Sequence, residues 1–188
     1  MYQIAVSGAA KGDSVEEGKE LARAMGAAIA QAGHSLLTGA TIGLPNYAAE
    51  GYKAAGGKMS VGISPAASKV EHVMKYRLPT VAYDTILYTG LHYIGRDTLL
   101  ITSSDAVVSI GGRLGTLHEF TIAMESDTPI GFLQGAGGIS EEIQNIMALA
   151  KPVRNADAIF FSESSEELVA DLTKFLNIEN AKYKNLYS

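Results

Sequence analysis

The chain has 188 residues, of which 47% are hydrophobic and 19% charged, with no cysteine and a formal net charge of −5. That length suits one hydrophobic core, so a single domain over residues 1–188 is expected. The lack of cysteine excludes a disulfide framework, a thiolate nucleophile and a zinc–thiolate site, and the acidic balance opposes general nucleic-acid binding.

Strand-like and helix-like runs alternate from the N-terminus onward. Residues 2–6 read as a strand, and Ser14-Val15-Glu16-Glu17 reads as a capping box opening a helix that carries Leu21, Met25 and Ala28 to a stop at Gly33. A second strand over 34–37 runs into Thr38-Gly39-Ala40-Thr41-Ile42-Gly43-Leu44-Pro45, where proline suits a first helical turn. The helix that follows closes at Gly56-Gly57, and 59–63 supplies a third strand. Residues 64–80 are irregular, with Pro65 and Pro79, and are expected to form a surface excursion. A short strand is expected within 81–87, a helix over 91–102 and a buried strand over 106–110. Beyond it lie the turn Gly111-Gly112-Arg113-Leu114-Gly115, a helix to about Ser126 capped by Thr116, and a strand over 129–133. A helix near Ser140, a strand over 158–161 and a last helix opened by Ser164-Ser165-Glu166-Glu167 complete the pattern, with a polar tail over 180–188. Such alternation implies an α/β fold with a doubly wound parallel sheet, because parallel neighbours need crossover helices.

The longest apolar stretches are strand length, and the N-terminus lacks the basic start and long apolar run of a secretory signal. No membrane association and a cytoplasmic location are expected.

Three glycine-bearing corners follow strands: Ser7-Gly8-Ala9-Ala10, Thr38 through Gly43, and Ile110 through Thr116. Any one of them is readable as a plain tight turn. In a doubly wound sheet, however, ligands bind beyond the C-terminal strand ends, where the strand order switches, and three corners together favour a ligand site. The third corner pairs a glycine turn with a helix start, whose free amides and partial positive charge suit phosphate. The first is not the dinucleotide G-x-G-x-x-G, and no G-x-x-x-x-G-K-[ST] occurs. Hydride transfer with NAD and ATPase chemistry lose support accordingly.

These residues resemble the LOG ("lonely guy") family, once mislabelled lysine decarboxylases, in its bacterial branch related to molybdenum-cofactor carriers and, more distantly, DNA-processing proteins. The similarity runs over residues 2–165: Ser7-Gly8, Leu37-Thr38-Gly39 with Gly43-Leu44, Ala55-Gly56-Gly57-Lys58, Tyr88-Thr89-Gly90, Arg96, and Gly111-Gly112 with Gly115-Thr116-Leu117-His118-Glu119. The last element matches the family's G-G-x-G-T-x-x-E signature. Arg113 departs from the pattern, since the family usually has a further glycine, or proline before two glycines, ahead of the variable residue. The resemblance implies a three-layer Rossmann-like fold, a homodimer, no required cofactor, and binding of a nucleoside monophosphate or related phosphorylated ligand. The binding positions would be Ser7, Gly8, Gly39, Thr41, Gly43, Gly111, Gly112, Arg113, Leu114, Gly115 and Thr116. It also implies, for Arg96 and Glu119, a role in cleaving the N-glycosidic bond of nucleoside 5'-monophosphates to free base and ribose 5-phosphate. A carboxylate suits that chemistry, because it can stabilise an oxocarbenium-like state and orient water.

Plainer roles compete at each position. Glu119 lies at capping-box spacing from Thr116, so it can simply close a helix N-terminus. Arg96 can be a surface ion pair near His92 and Asp97. Arg113 can clamp a phosphate bidentately or point to solvent, and it opposes a positive φ that glycine would tolerate. His118 is expected to face away from Glu119 around the helix. His34, His72 and His92 lack metal-ligand spacing, so no metal site is assigned. Tyr83, Tyr88 and Tyr93 fall near the expected pocket rim. A binding or carrier protein of the molybdopterin kind is the alternative to an enzyme, and single-stranded DNA binding ranks last.

Overall fold

The computed structural model describes residues 1–150 and 156–183. Its strands are β1 (Gln3–Gly8), β2 (Ser35–Thr38), β3 (Ser60–Ser64), β4 (Thr85–Tyr88), β5 (Ala106–Ile110), β6 (Ile130–Leu133) and β7 (Ile159–Ser162). They alternate with helices α1 (Asp13–Gln31), α2 (Leu44–Ala54), α3 (His92–Thr102), α4 (Leu114–Glu125), α5 (Ile139–Ala150) and α6 (Ser165–Ala181). These seven strands form one parallel sheet in the order β4-β3-β2-β1-β5-β6-β7. From β1 the chain steps outward through β2, β3 and β4, then returns to lay β5 on the other side of β1. That reversal creates a crevice at the C-terminal ends of β1 and β5.

The period of two along each strand sorts its side chains into two cores. Ile4, Val6, Val108 and Ile110 pack with Met25 and Ile29 of α1, Ala48 and Tyr52 of α2 and Leu172 of α6. Ala5 and Val107 point the other way, into a cluster with Leu100 and Ile101 of α3, Phe120 of α4 and Ile143 of α5. The outcome is the three-layer Rossmann-like arrangement, with both sheet faces covered as a parallel sheet requires. Helices α1 and α2 meet backbone to backbone: a Cβ at Gly26 would lie 1.9 Å from the Ala48 carbonyl oxygen.

Several expected boundaries move. The first, second, third, sixth and seventh strands each begin one residue later than the sequence suggests, and β4, Thr85–Tyr88, takes only the end of its expected span and one residue beyond it. The Ser14 capping box is not made: α1 starts at Asp13 from Gly12, which has a φ of 97°, and no side chain among the described residues caps it. Ser164 does cap α6, its hydroxyl accepting from the Glu167 amide at 3.2 Å. The excursion over 64–80 lies on the surface as expected, with Val70 and Met74 exposed, and is anchored inward at one point. Its π-helical turn, Glu71–Lys75, buries His72 completely, with Nδ1 2.8 Å from the Ser64 hydroxyl and Nε2 3.0 Å from the Pro79 carbonyl oxygen. Of the tail, Asn180 and Ala181 are helical, and 184–188 lie outside the described residues.

Candidate functional site

A cavity of about 300 Å³ opens at the β1/β5 crevice, in the size range of small-molecule sites. All three glycine corners contribute to it. Ser7, Gly8, Ala9, Ala10 and Lys11 come from the end of β1 and the turn after it, Gly39 and Thr41 from the β2–α2 connection, Pro45 from the first turn of α2, and Arg113, Gly115, Thr116 and Glu119 from the start of α4. Tyr93, Arg96 and Asp97 of α3 close the remaining side.

The α4 corner is built by backbone conformation. Gly111 and Gly112 adopt φ of 57° and 96°, values that favour glycine, and they deliver the chain into helix at Leu114. Thr116 is therefore the third helical residue and not the cap; its side chain folds back over Gly112, where a Cβ would meet the Thr116 hydroxyl at 1.9 Å. Arg113 takes the capping position with φ −138°, an ordinary extended value, so the left-handed turn is carried entirely by the two glycines. The departure from the family pattern at Arg113 thus leaves the turn intact.

The first main-chain bond of α4 runs from the Leu117 amide to the Arg113 carbonyl at 3.0 Å, and no side chain among the described residues caps the helix. The N–H groups of Leu114, Gly115 and Thr116 precede that bond and are available to an anion. Gly115 leaves the approach open: a Cβ built there meets nothing within 4 Å. Leu114 offers only its amide, since its side chain is exposed and does not line the cavity. Gly43, Gly111 and Gly112 do not line it either and act by shaping the corners, Gly43 (φ 80°) against the backbone of Ala9 and Ala10.

Glu119 sits at the inner wall, 8% exposed, and accepts a hydrogen bond from the Ser7 hydroxyl. With α4 beginning at Leu114 it lies in the second turn, so it cannot close a capping box. Burial pushes its carboxyl up to about 7, and the nearby Asp97 carboxylate pushes the same way, against the opposing pull of Ser7 and Arg96. A carboxyl that changes charge near neutral pH is suited to proton transfer.

Arg96 is also buried, 4% exposed, which rules out the surface ion-pair reading. Its guanidinium lies against the bare backbone of Gly39, where a Cβ would stand 1.7 Å from Nη1. Nη2 is 3.4 Å from Asp97 Oδ1, and the enclosed Nε–H has no acceptor among the described residues. An unpaired buried donor costs about 1–3 kcal/mol, and such an orphan at a cavity wall marks a group held for something other than stability.

Asp97, seen in the sequence only as a neighbour of Arg96, is 7% exposed and lines the cavity. Its Oδ2 lies 3.3 Å from Nδ1 of His118, which is half-exposed and faces away from the cavity, as adjacent helical positions require. Lys11 was not singled out by any motif; it follows the first corner directly and reaches the cavity from there. Of the three tyrosines only Tyr93 lines the cavity; Tyr83 is half-buried and takes a hydrogen bond from Thr38 at 2.9 Å, and Tyr88 packs edge-on against His72.

Comparison with known proteins places these features in a lineage. The model of the SLOG cluster4 family matches residues 1–169. An uncharacterized protein of Archaeoglobus fulgidus is 32% identical over 134 residues, 71% of this chain and 81% of that one. Among solved structures, TM1055 superposes with a TM-score of 0.79 at 25% identity, over 93% of this chain and 99% of that one. The molybdenum cofactor carrier protein of Chlamydomonas reinhardtii superposes with a TM-score of 0.73 at 27% identity, over 93% and 98% of the two chains.

Proposed function

The chain belongs to the SLOG cluster4 family, and from that membership and the cavity's chemistry we propose that it binds a nucleoside 5'-monophosphate and hydrolyses its N-glycosidic bond. The 5'-phosphate rests on the amides of Leu114, Gly115 and Thr116, with Arg113 and Lys11 adding positive charge at the mouth. The ribose then lies towards Ser7 and Glu119, and Arg96 reaches the sugar or the departing base. As the C1'–N bond breaks, its electron pair leaves with the base while the Glu119 carboxylate faces the positive charge growing on the ribose. Water adds its oxygen to C1', one of its protons passes to Glu119, and that proton is returned to the base. Free base and ribose 5-phosphate result.

The observation that carries this reading is Glu119: a buried carboxyl, held by Ser7 beside Arg96, whose charge changes near pH 7. The reading is tested by incubating the protein with AMP and other monophosphates and following free base by chromatography. Wild type is expected to release base, and Glu119→Gln to lose at least a hundredfold in rate, in keeping with removal of a general acid–base group, about 10²–10⁴. No release from any monophosphate would overturn it.

A second reading has its own support in the likeness to the Chlamydomonas carrier: the same cavity holds a phosphorylated pterin as cargo without turnover. Native mass spectrometry of freshly purified protein separates the two, since a retained pterin favours cargo. The partner we assign to the exposed Leu91, just ahead of α3, and Ile94 within it is a second copy of the chain, giving a homodimer that sedimentation analysis reports directly. No helix among the described residues is long and apolar enough to cross a membrane.

A further inference from the structure

Two buried carboxylates, Asp97 and Glu119, and one buried guanidinium, Arg96, line this cavity. Neither carboxylate is where it is for packing. Asp97 touches Arg96 on its own helix and His118 on α4 and makes no other ion pair among the described residues, while Glu119 is bonded to Ser7 of β1. Only the far side of His118 reaches solvent, in a shallow groove that it shares with Glu125. The row Arg96, Asp97, His118 therefore runs from the cavity wall to the surface across the α3–α4 contact.

We propose that Asp97 is a positioning residue of this site, which braces the Arg96 guanidinium, stands as a second enclosed carboxylate on the wall that holds Glu119, and is itself tied to solvent through His118. The proposal rests on the reading of Glu119 as the acid–base group. One positive charge cannot fully compensate two enclosed negative ones, so a proton stays in the pair and Glu119, bonded by a hydroxyl and not by a cation, carries it. Burial raises Asp97 above the usual carboxylate range, while Arg96 and then His118 draw it back, which keeps the charge on Asp97 in preference to its neighbour. The consequence is a site whose acid–base group ionises only near neutrality.

The experiment is a carbon-13 NMR titration of the side-chain carboxyls in the ligand-free protein. In wild type the Glu119 carboxyl is expected to titrate near 7, and in Asp97→Asn to fall by roughly one unit as the repelling charge is lost. His118→Ala, a change at a half-exposed position that the fold tolerates, is expected to move Asp97 upward because a partner of its charged form is removed. An unmoved Glu119 in Asp97→Asn overturns the proposal, and an unmoved Asp97 in His118→Ala overturns its link to solvent. Should Asp97→Asn not fold, Glu119 is titrated in Asp97→Ser instead, and an unmoved Glu119 there overturns the proposal equally. The readout needs no ligand, so a failure of base release with these shifts present sinks the hydrolase reading and leaves this inference standing.

Discussion

Replacing Glu119 with glutamine should make the protein more stable, and only above mildly acidic pH. The carboxyl of Glu119 is raised from 4.5 to about 7 by burial and by Asp97. In the unfolded chain the proton is released near 4.5, whereas the folded protein keeps it until about 7. Between those values the unfolded state binds fewer protons, so stability falls as pH rises through the window and stays lower above it. At about 1.4 kcal/mol per unit, the ionisable side chain costs the fold roughly 3 kcal/mol at alkaline pH relative to a neutral isostere. The glutamine side chain would keep an amide oxygen to accept from Ser7 and never carries charge. Urea denaturation of both proteins at about pH 4.5 and about pH 8.5 measures the difference, and for a chain of this size the high-pH gap corresponds to a Tm shift on the order of 10 °C. A gap of equal size at both pH values, or a glutamine variant less stable at high pH, would refute the assignment of a buried, proton-bearing Glu119. A side chain that destabilises the fold in this way is consistent with selection for function at the expense of stability.

Three further outcomes concern the glycines. Gly115→Ala meets no atom, so the variant should fold with equal or slightly greater stability, up to about 1 kcal/mol for a helical glycine, yet its methyl narrows the approach to the amides. Calorimetric titration with AMP is expected to show a tenfold or greater loss, and unchanged binding would remove this corner from the site. Gly39→Ala pushes on the flexible end of Arg96 at 1.7 Å, so the melting curve should change little while AMP affinity falls, and a large loss of stability would show the guanidinium to be structural. Gly26→Ala drives a methyl into the Ala48 carbonyl at 1.9 Å, backbone that cannot move aside, and denaturation should report a loss of about 2 kcal/mol or more.

The layer architecture was legible because apolar runs of strand length alternate with amphipathic ones, and glycine lies at the exits of β1, β2 and β5 that build the site. What the one-dimensional pattern misplaced were helix starts at the glycine corners. Ser14 and Thr116 both satisfy the capping-box spacing, but Gly12 and the Gly111-Gly112 pair bring the chain into helix early, which leaves each residue inside its helix. That shift also removes the capping reading of Glu119, since an acid in the second turn cannot cap. His72 looked like part of a surface loop because the Ser64 and Pro79 groups that bury it lie at the two ends of the excursion. The role of Asp97 was hidden for a similar reason: its meaning depends on how α3 packs on α4, and adjacent positions on one helix usually face apart. Arg113 drew attention as an exception, and its extended φ shows why the turn accepts it.

The most direct measurement is a crystal structure of the protein soaked with AMP at saturating concentration. The expected result is a phosphate on the amides of Leu114, Gly115 and Thr116, with the ribose towards Ser7 and Glu119 and the Arg96 Nε–H bonded to the ligand, or, if turnover has occurred, ribose 5-phosphate in the same pose. A phosphate bound away from the α4 corner, or a cavity that stays empty while AMP binds elsewhere, would contradict the assignment of this crevice as a nucleotide site.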